Sequence, residues 1–261
     1  MKKWLNWLLL VVVFSVACGF LANWQFDRRE AKLASIALVT QNYAKPAVPY
    51  TQVVTAGDFS VPRLNWRAVS LTGHYLVEKA LLVRNRPNNG QPGFEQLVPF
   101  DTGSSIIFVS RGWLPTGDRQ DLPDNIPDIS GAEITLIGKV MSAEPQLSRG
   151  APLGQIASIN IALAAKKTGI QTTFQKSYLR MVSESPMASV PLTAMPKPSI
   201  DEGNNLSYAV QWILFAAMSI SALAWRIRKD QQDAAGTTPN KLKSKRAKLD
   251  AEFEDSITTE K

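Results

Sequence analysis

The sequence predicts a membrane α+β protein: two transmembrane helices flanking an external, antiparallel, β-rich domain, a small barrel or curled sheet with one inserted helix. Three observations carry this. The stretch from Asn204 to Trp225 is uncharged and ~20 residues long, enough at ~1.5 Å rise per residue to cross a ~30 Å hydrocarbon core. A second apolar run covers Trp4 to about Phe20. Between them lie short segments rich in β-branched and aromatic residues, each closed by Pro, Gly, Asn or Asp. Residues 1–24 are thus a cytoplasmic N-terminus and first transmembrane helix. Residues 25–203 are the external domain, 204–225 the second transmembrane helix, and 226–261 a disordered cytoplasmic tail.

The first run follows Lys2 and Lys3, with Trp4 and Trp7 where an inner aromatic belt belongs and Trp24 where an outer belt belongs. Arg226, Arg228 and Lys229 close the second run. Positive charge on both flanks puts both termini in the cytoplasm of a plasma membrane. Cys18, the only cysteine, lies within the first run. SVACG loosely resembles a lipidation site. Ser15 stands where an aliphatic residue is wanted, however, and the following ANWQFDRRE is no flexible tether, which favours an uncleaved anchor. An exported domain without cysteine must rely on its own core.

The net charge of +7 is placed at the membrane rather than on the domain: residues 226–248 hold eight basic and two acidic side chains. The basic balance therefore speaks for topology and for attraction to anionic lipid, and it gives little reason to expect nucleic acid as a partner.

Past Trp24 the chain turns polar at Asp27, Arg28, Arg29 and Glu30. EAKLASIALVTQNY then has helical spacing and ends before Pro46 and Pro49, a juxtamembrane helix. RAVSLTGHYL, KALLVRNRP, FEQLVPF, SSIIFVSRGWLP, AEITLIGKVM and FQKSYLRMVSE read as six strands in a meander, with Asp101-Thr102-Gly103 as a tight hairpin connection. QIASINIALAAKKTG reads as the inserted helix, ending at Gly169. Pro186, Pro191, Pro196 and Pro198 make an extended lead back to the bilayer.

Catalytic chemistry is scarce, and the sequence reads as a non-enzyme. His74 is the only histidine, so no histidine cluster forms a metal site, and a solvent-facing or hydrogen-bonded strand position suits it better than a ligand role. No external cysteine offers a nucleophile, and neither a phosphate loop nor a dinucleotide fingerprint is present. Polar and aromatic residues instead gather near the outer membrane face. Asn204, Tyr208, Gln211, Trp212 and Phe215 recur at three- and four-residue intervals on one stripe. They either pack against the first anchor or form a docking face for a membrane protein or planar cofactor. Arg84, Arg86 and Arg111 read as strand-end residues beside glycine-rich turns, with Trp113 close to Arg111. They either solvate those turns or hold a carboxylate or a partner's acidic loop through bidentate hydrogen bonds.

Trp24-Gln25-Phe26-Asp27-Arg28 with Lys32 resembles the WQxxR…K element of the surfeit locus protein one family. Gly73-His74-Tyr75, Arg86, Gly93-Phe94, Val109-Ser110-Arg111-Gly112-Trp113-Leu114-Pro115 and Gly138-Lys139-Val140 follow in that family's order. Asn205-Leu206-Ser207-Tyr208-Ala209-Val210-Gln211-Trp212 completes it. The resemblance runs from the first anchor through the second. It implies a biogenesis factor for heme-copper cytochrome c oxidase, acting with the oxidase subunits when heme a reaches the catalytic subunit. It also implies that Trp24, Gln25, Arg28, Arg86, Arg111, Trp113, Asn205, Tyr208, Gln211 and Trp212 face partner or heme. One departure bears on the cofactor. Many members carry NNHLxYA at the second anchor, with the histidine regarded as a heme ligand, whereas Asn205 stands there in GNNLSYA. An amide is a poor iron ligand beside imidazole. No resident cofactor or metal is therefore assigned; any heme a would be held transiently, with Tyr208 or Met218 as the remaining ligand candidates. A permanently bound accessory subunit of the oxidase or a larger respiratory assembly is the alternative function.

Overall fold

A computed structural model describes residues 2–55, 62–172, 174–235 and 246–249. The chain divides into two compact units: residues 1–33 with 202–261, and residues 34–201.

The first unit is a pair of helices, most of α1 (Lys2–Asn42) and all of α4 (Asn205–Ala234). Both are long and apolar enough to cross a membrane, and only 17% and 6% of their apolar windows are buried. They run antiparallel: Ser15 Oγ lies 3.4 Å from Ser219 Oγ, and Arg29 Nη2 donates to Glu202 Oε2 at 3.1 Å. On α1 the buried and half-buried positions step through Val11, Ser15, Cys18, Ala22, Gln25 and Arg29; on α4 they step through Asn205, Ala209, Trp212, Ala216, Ser219 and Leu223. Alternating steps of three and four mark a seam of knobs into holes, and its small residues let two apolar helices approach closely.

The juxtamembrane helix expected as a separate element is instead the last part of α1, unbroken from Lys2. Nothing in ANWQFDRREAKL breaks a helix: it has neither Gly nor Pro. At the other end α4 continues past Trp225 to Ala234. The predicted disorder of the tail otherwise falls on residues outside the described ones, apart from the helical residues 246–249.

The second unit is built on an eight-stranded sheet, β1 (Val48–Pro49), β2 (Ala68–Tyr75), β3 (Leu81–Val83), β4 (Gly93–Asp101), β5 (Ile106–Pro115), β6 (Ile134–Ser142), β7 (Gln155–Ile156) and β8 (Ser177–Ser185). Two short helices, α2 (Tyr50–Thr55) and α3 (Ile161–Thr168), complete it. The six sequence-predicted strands are all present, but the order is no meander. β2, β4 and β5 pair in turn as antiparallel neighbours, and the long connection after β5 returns β6 to the free side of β2, which is a Greek key. β8 then fills the gap, antiparallel to β6 and parallel to β5, and closes a five-stranded barrel. The sheet is mixed rather than antiparallel throughout. Closure removes the edges that an open meander would expose.

Alternation sorts the apolar residues into two cores. Val69, Leu71, Val98, Phe100, Val109, Leu136 and Leu179 fill the barrel. Their neighbours Leu97 and Phe108 point outward and meet Leu81, Val83, Ile156, Ile161 and Tyr178 beneath α3. This second core explains the shortened helix: Gln155 and Ile156 are spent on β7, parallel to β3. The helix starts only at Ile161, where Asn160 Oδ1 caps it by accepting Leu163 N–H at 2.9 Å, and it ends at Gly169 with φ 70°.

Barrel closure depends on Gly73. A β-carbon there would stand 2.1 Å from Asp101 O on β4, so only glycine allows β2 and β4 to meet. The loop at Asn88-Asn89-Gly90 is a primed turn with Asn89 and Gly90 both at positive φ, and the Asp101–Ile106 connection is a four-residue loop whose Gly103 N–H donates to Asp101 Oδ1. His74 is exposed on β2, as expected for its strand position.

Candidate functional site

Two of the three arginines, Arg86 and Arg111, hold carboxylates, and the carboxylates are the domain's own. The sequence reading of Arg111 as a strand-end residue is corrected by the structure. It lies inside β5, as the extra residue of a bulge where Gln96 pairs Gly112 and Leu97 pairs Ser110. A bulge re-aims the side chain it carries, and this one is 3% exposed. Its Nη2 donates to Glu184 Oε1 at 3.0 Å and its Nη1 to Gln96 Oε1 at 2.9 Å, while its guanidinium stacks 4.9 Å above the Tyr75 ring. Tyr75 OH donates in turn to Glu184 Oε2 at 3.0 Å. Burial, then the charge of Glu184, pushes the Tyr75 phenol well above its ordinary value.

Arg86 follows β3 and caps the second core. Its Nη2 donates to Glu144 Oε2, and its Nε lies 3.3 Å from Glu95 Oε1. Glu95 is itself buried on β4 and accepts Ser110 Oγ–H at 2.6 Å. Burial pulls the Arg86 guanidinium down, and the bond to Glu144 with the charges of Glu95 and Glu144 outweighs it, leaving it above the usual value. Burial also raises the Tyr178 phenol in this core. Trp113 belongs to the same cluster: its Nε1 donates to Arg86 O at 2.6 Å, and its ring lies so close to Gly93 that a β-carbon there would stand 2.4 Å from it. The chain after β8 is tied in here, because Trp113 N–H donates to Thr193 O at 2.8 Å. Arg84 reaches only exposed Asp121, at 3.9 Å.

The end of α1 is fixed to the barrel by a similar device. Lys139 Nζ donates to Tyr43 O at 2.6 Å and sits 3.9 Å above its ring, while Asn42 Nδ2 donates to Arg63 O and Asn65 O. Burial, then the charge of Arg67, lowers the Lys139 ammonium.

On the helix pair the candidate residues separate by face. Gln25, Asn205 and Trp212 are half-buried on the seam. Trp24 is 51% exposed, with the Arg28 guanidinium 5.2 Å from its ring. Tyr208, 50% exposed, and Gln211, exposed, point away from the seam. The stripe read from the sequence is therefore two rows. Trp212 packs edge-on to Phe215 at 5.8 Å on the inner side, and the Tyr208–Gln211 row lies open. Packing against the first anchor accounts for Asn205 and Trp212 and leaves Tyr208 and Gln211 unexplained.

Sequence reading missed the acidic partners Glu95, Glu144 and Glu184. The available signal was a charge inside an apolar strand, as in GFEQLVPF, where a polar residue on an otherwise buried segment needs an internal partner. Among the described residues no group of three or more His, Cys, Asp and Glu is placed to hold a metal ion.

The geometry defines a class: a closed Greek-key barrel, internally braced by buried arginine–glutamate pairs, carried in one chain with a pair of long apolar helices. The family model for the SURF1 family matches residues 12–217. A SURF1-like protein of Mycobacterium tuberculosis is 30% identical over 247 residues, covering 90% of this chain and 89% of its own. The cytochrome oxidase assembly protein SHY1 of Saccharomyces cerevisiae is 26% identical over 146 residues, which is 54% of this chain and 36% of that protein. The surfeit locus protein 1 of Xenopus tropicalis is 29% identical over 156 residues, 52% of this chain and 48% of that protein. The chain belongs to the SURF1 family.

Proposed function

We propose that this protein is a non-catalytic assembly factor for heme-copper cytochrome c oxidase, anchored in the plasma membrane by α1 and α4 with both termini cytoplasmic and the barrel external. Membership of a family in which one relative is named a cytochrome oxidase assembly protein supports the oxidase as client. The orientation rests on Lys2 and Lys3 before the apolar part of α1 and on Arg226, Arg228 and Lys229 at the end of the apolar part of α4. Its role is to assist heme a insertion or to hold the catalytic subunit while heme a arrives. Asn205 is no substitute for histidine, so the protein acts on its client's fold rather than as a lasting axial ligand.

One observation carries the contact face: Tyr208 and Gln211 are exposed on an apolar helix, turned from the seam that buries Asn205 and Trp212. A phenol and an amide facing hydrocarbon are costly unless a neighbour supplies hydrogen bonds. A client helix supplies them.

Tyr208→Leu with Gln211→Leu tests this, because lipid accepts leucine readily. The double variant should reach wild-type membrane levels while the heme a absorbance of the membranes falls; Ile213→Leu with Ile220→Leu is the control. A normal heme a spectrum in the double variant overturns the assignment of this face. Co-purification in mild detergent tests the class: substoichiometric recovery with oxidase subunits fits an assembly factor, and one-to-one recovery makes it a subunit.

A further inference from the structure

At the end of the helix pair away from Tyr208 the seam opens into a groove of about 540 Å³. Trp4, Trp7 and Leu10 wall it from α1, and Ala222, Leu223 and Arg226 wall it from α4. The opening follows from side-chain size. Ser15 and Ser219 hold the helices at contact, and beyond them the small Ala222 faces the bulky Trp4 and Trp7, which cannot enter a close-packed seam. The volume lies in the range of small-molecule sites, ~300–1,000 Å³. The walls are almost wholly apolar, with one cation at one end.

We infer that this groove holds the acyl chain of an anionic phospholipid, with Arg226 receiving the phosphate. The inference rests on reading α1 and α4 as membrane-spanning. Charge complementarity selects the occupant: Arg226 lines the groove, and Arg228 and Lys229 follow it on the same turn of α4, a basic cluster that favours an anionic headgroup. The Arg226 guanidinium stays available. Its neighbour on the next turn, Asp230, lies 3.5 Å from Nε, and the arginine side chain remains 56% exposed, an arrangement that binds weakly by itself. Trp4 and Trp7 sit at the level where indole rings line a bilayer interface. A neutral detergent tail satisfies the walls but leaves the cation unused, and inorganic phosphate satisfies the cation but leaves the walls wet.

The test is retention of lipid by the full-length protein in mild detergent, read by native mass spectrometry after incubation with phosphatidylglycerol or with phosphatidylcholine. One phosphatidylglycerol should stay bound through gas-phase release conditions that strip phosphatidylcholine. Arg226→Gln should reduce the preference about fivefold, the share of one basic side chain near an anionic surface. Ala222→Leu, which fills the groove, should abolish retention of phosphatidylglycerol while leaving Arg226 in place. Equal retention of the two lipids by the parent, or a preference unchanged by Arg226→Gln, overturns the inference. Alkaline carbonate extraction separates its failure from that of the membrane reading: a protein released by carbonate has no spanning helices, whereas one retained without lipid preference spans the membrane but has a groove that does not select an anionic lipid.

Discussion

Arg111 and Glu184 form an ion pair inside a closed barrel, with side chains only 2% and 7% exposed. Replacing Arg111 by methionine keeps much of the side-chain volume and leaves the Glu184 carboxylate buried against Tyr75 alone. Breaking a buried pair from one side costs ~3–5 kcal/mol, because the remaining charge stays desolvated without its counterion. At this exposure no discount for solvent screening applies. A domain of this size has ~5–15 kcal/mol in total, so Arg111→Met removes a large share of it. Melting should fall by ~6–20 °C, taking ~2–4 °C per kcal/mol for a unit of this length. Glu184→Gln should cost a similar amount by stranding the guanidinium instead.

The double variant is the decisive measurement. With Arg111→Met and Glu184→Gln together no buried charge remains in this pair, and the amide introduced by Glu184→Gln still offers Tyr75 OH an acceptor. The residual cost is then that of hydrogen bonds left unmade, ~1–3 kcal/mol. The double variant should therefore be more stable than either single one, with a coupling of ~2 kcal/mol or more. Urea unfolding of the full chain in detergent, followed by circular dichroism of the β-rich unit, gives all four values. Additive losses, or an Arg111→Met variant within ~0.5 kcal/mol of the parent, would refute the claim that this pair braces the barrel.

Three further outcomes follow from the same geometry. Tyr75 and Tyr178 are both held protonated by burial above the ordinary phenol value of 10.0, so the unfolded chain releases protons first and their contribution to stability is lost as pH rises past that value. Tyrosinate absorbance should show a late step coincident with unfolding, which shrinks when both are changed to Phe; Lys139, lowered rather than raised, works in the opposite sense. Gly73→Ala drives a β-carbon into the backbone of Asp101 and should cost ~1–3 kcal/mol or more, read as faster amide exchange at the β2–β4 junction than in the rest of β2. Asn205→His places an imidazole on the helix seam; heme captured by this variant and not by the parent would show that the position still faces heme, and capture by neither favours a scaffolding role.

Local patterns in the chain were legible and distant pairings were not. Val69 and Leu71 alternate with Ser70 and Thr72, so β2 could be read from period two alone. Closure of the barrel could not, because it turns on β8 settling between β5 and β6, a choice made by pairing across the whole domain. Gln155 and Ile156 show the same limit: they join a helical-looking segment in sequence, and only the edge of β3 makes them a strand. Arg111 was misplaced for a related reason. A charged residue beside Gly112 reads as exposed, since arginine is almost never fully buried unless paired, and its partner Glu184 lies 73 residues away.

That same burial divides the segments on which the family resemblance was drawn. Gly73 and Tyr75, Arg86, Gly93, and Arg111-Gly112-Trp113 are each accounted for by an internal contact: closure of β2 on β4, the cap of the outer core, the seat of an indole, the bulge that turns a guanidinium inward. These contacts give each of those residues a part in building the barrel. The helix segments differ. In WQFDR, Gln25 lies on the seam, but Trp24 and Arg28 stack on each other in the open. In NLSYAVQW, Asn205, Ala209 and Trp212 lie on the seam, but Tyr208 and Gln211 do not. Trp24, Arg28, Tyr208 and Gln211 are the candidates whose side chains the protein's own packing leaves open. The proposed contact with a client is therefore to be sought on the helix faces, with substitutions in the barrel serving as measures of stability.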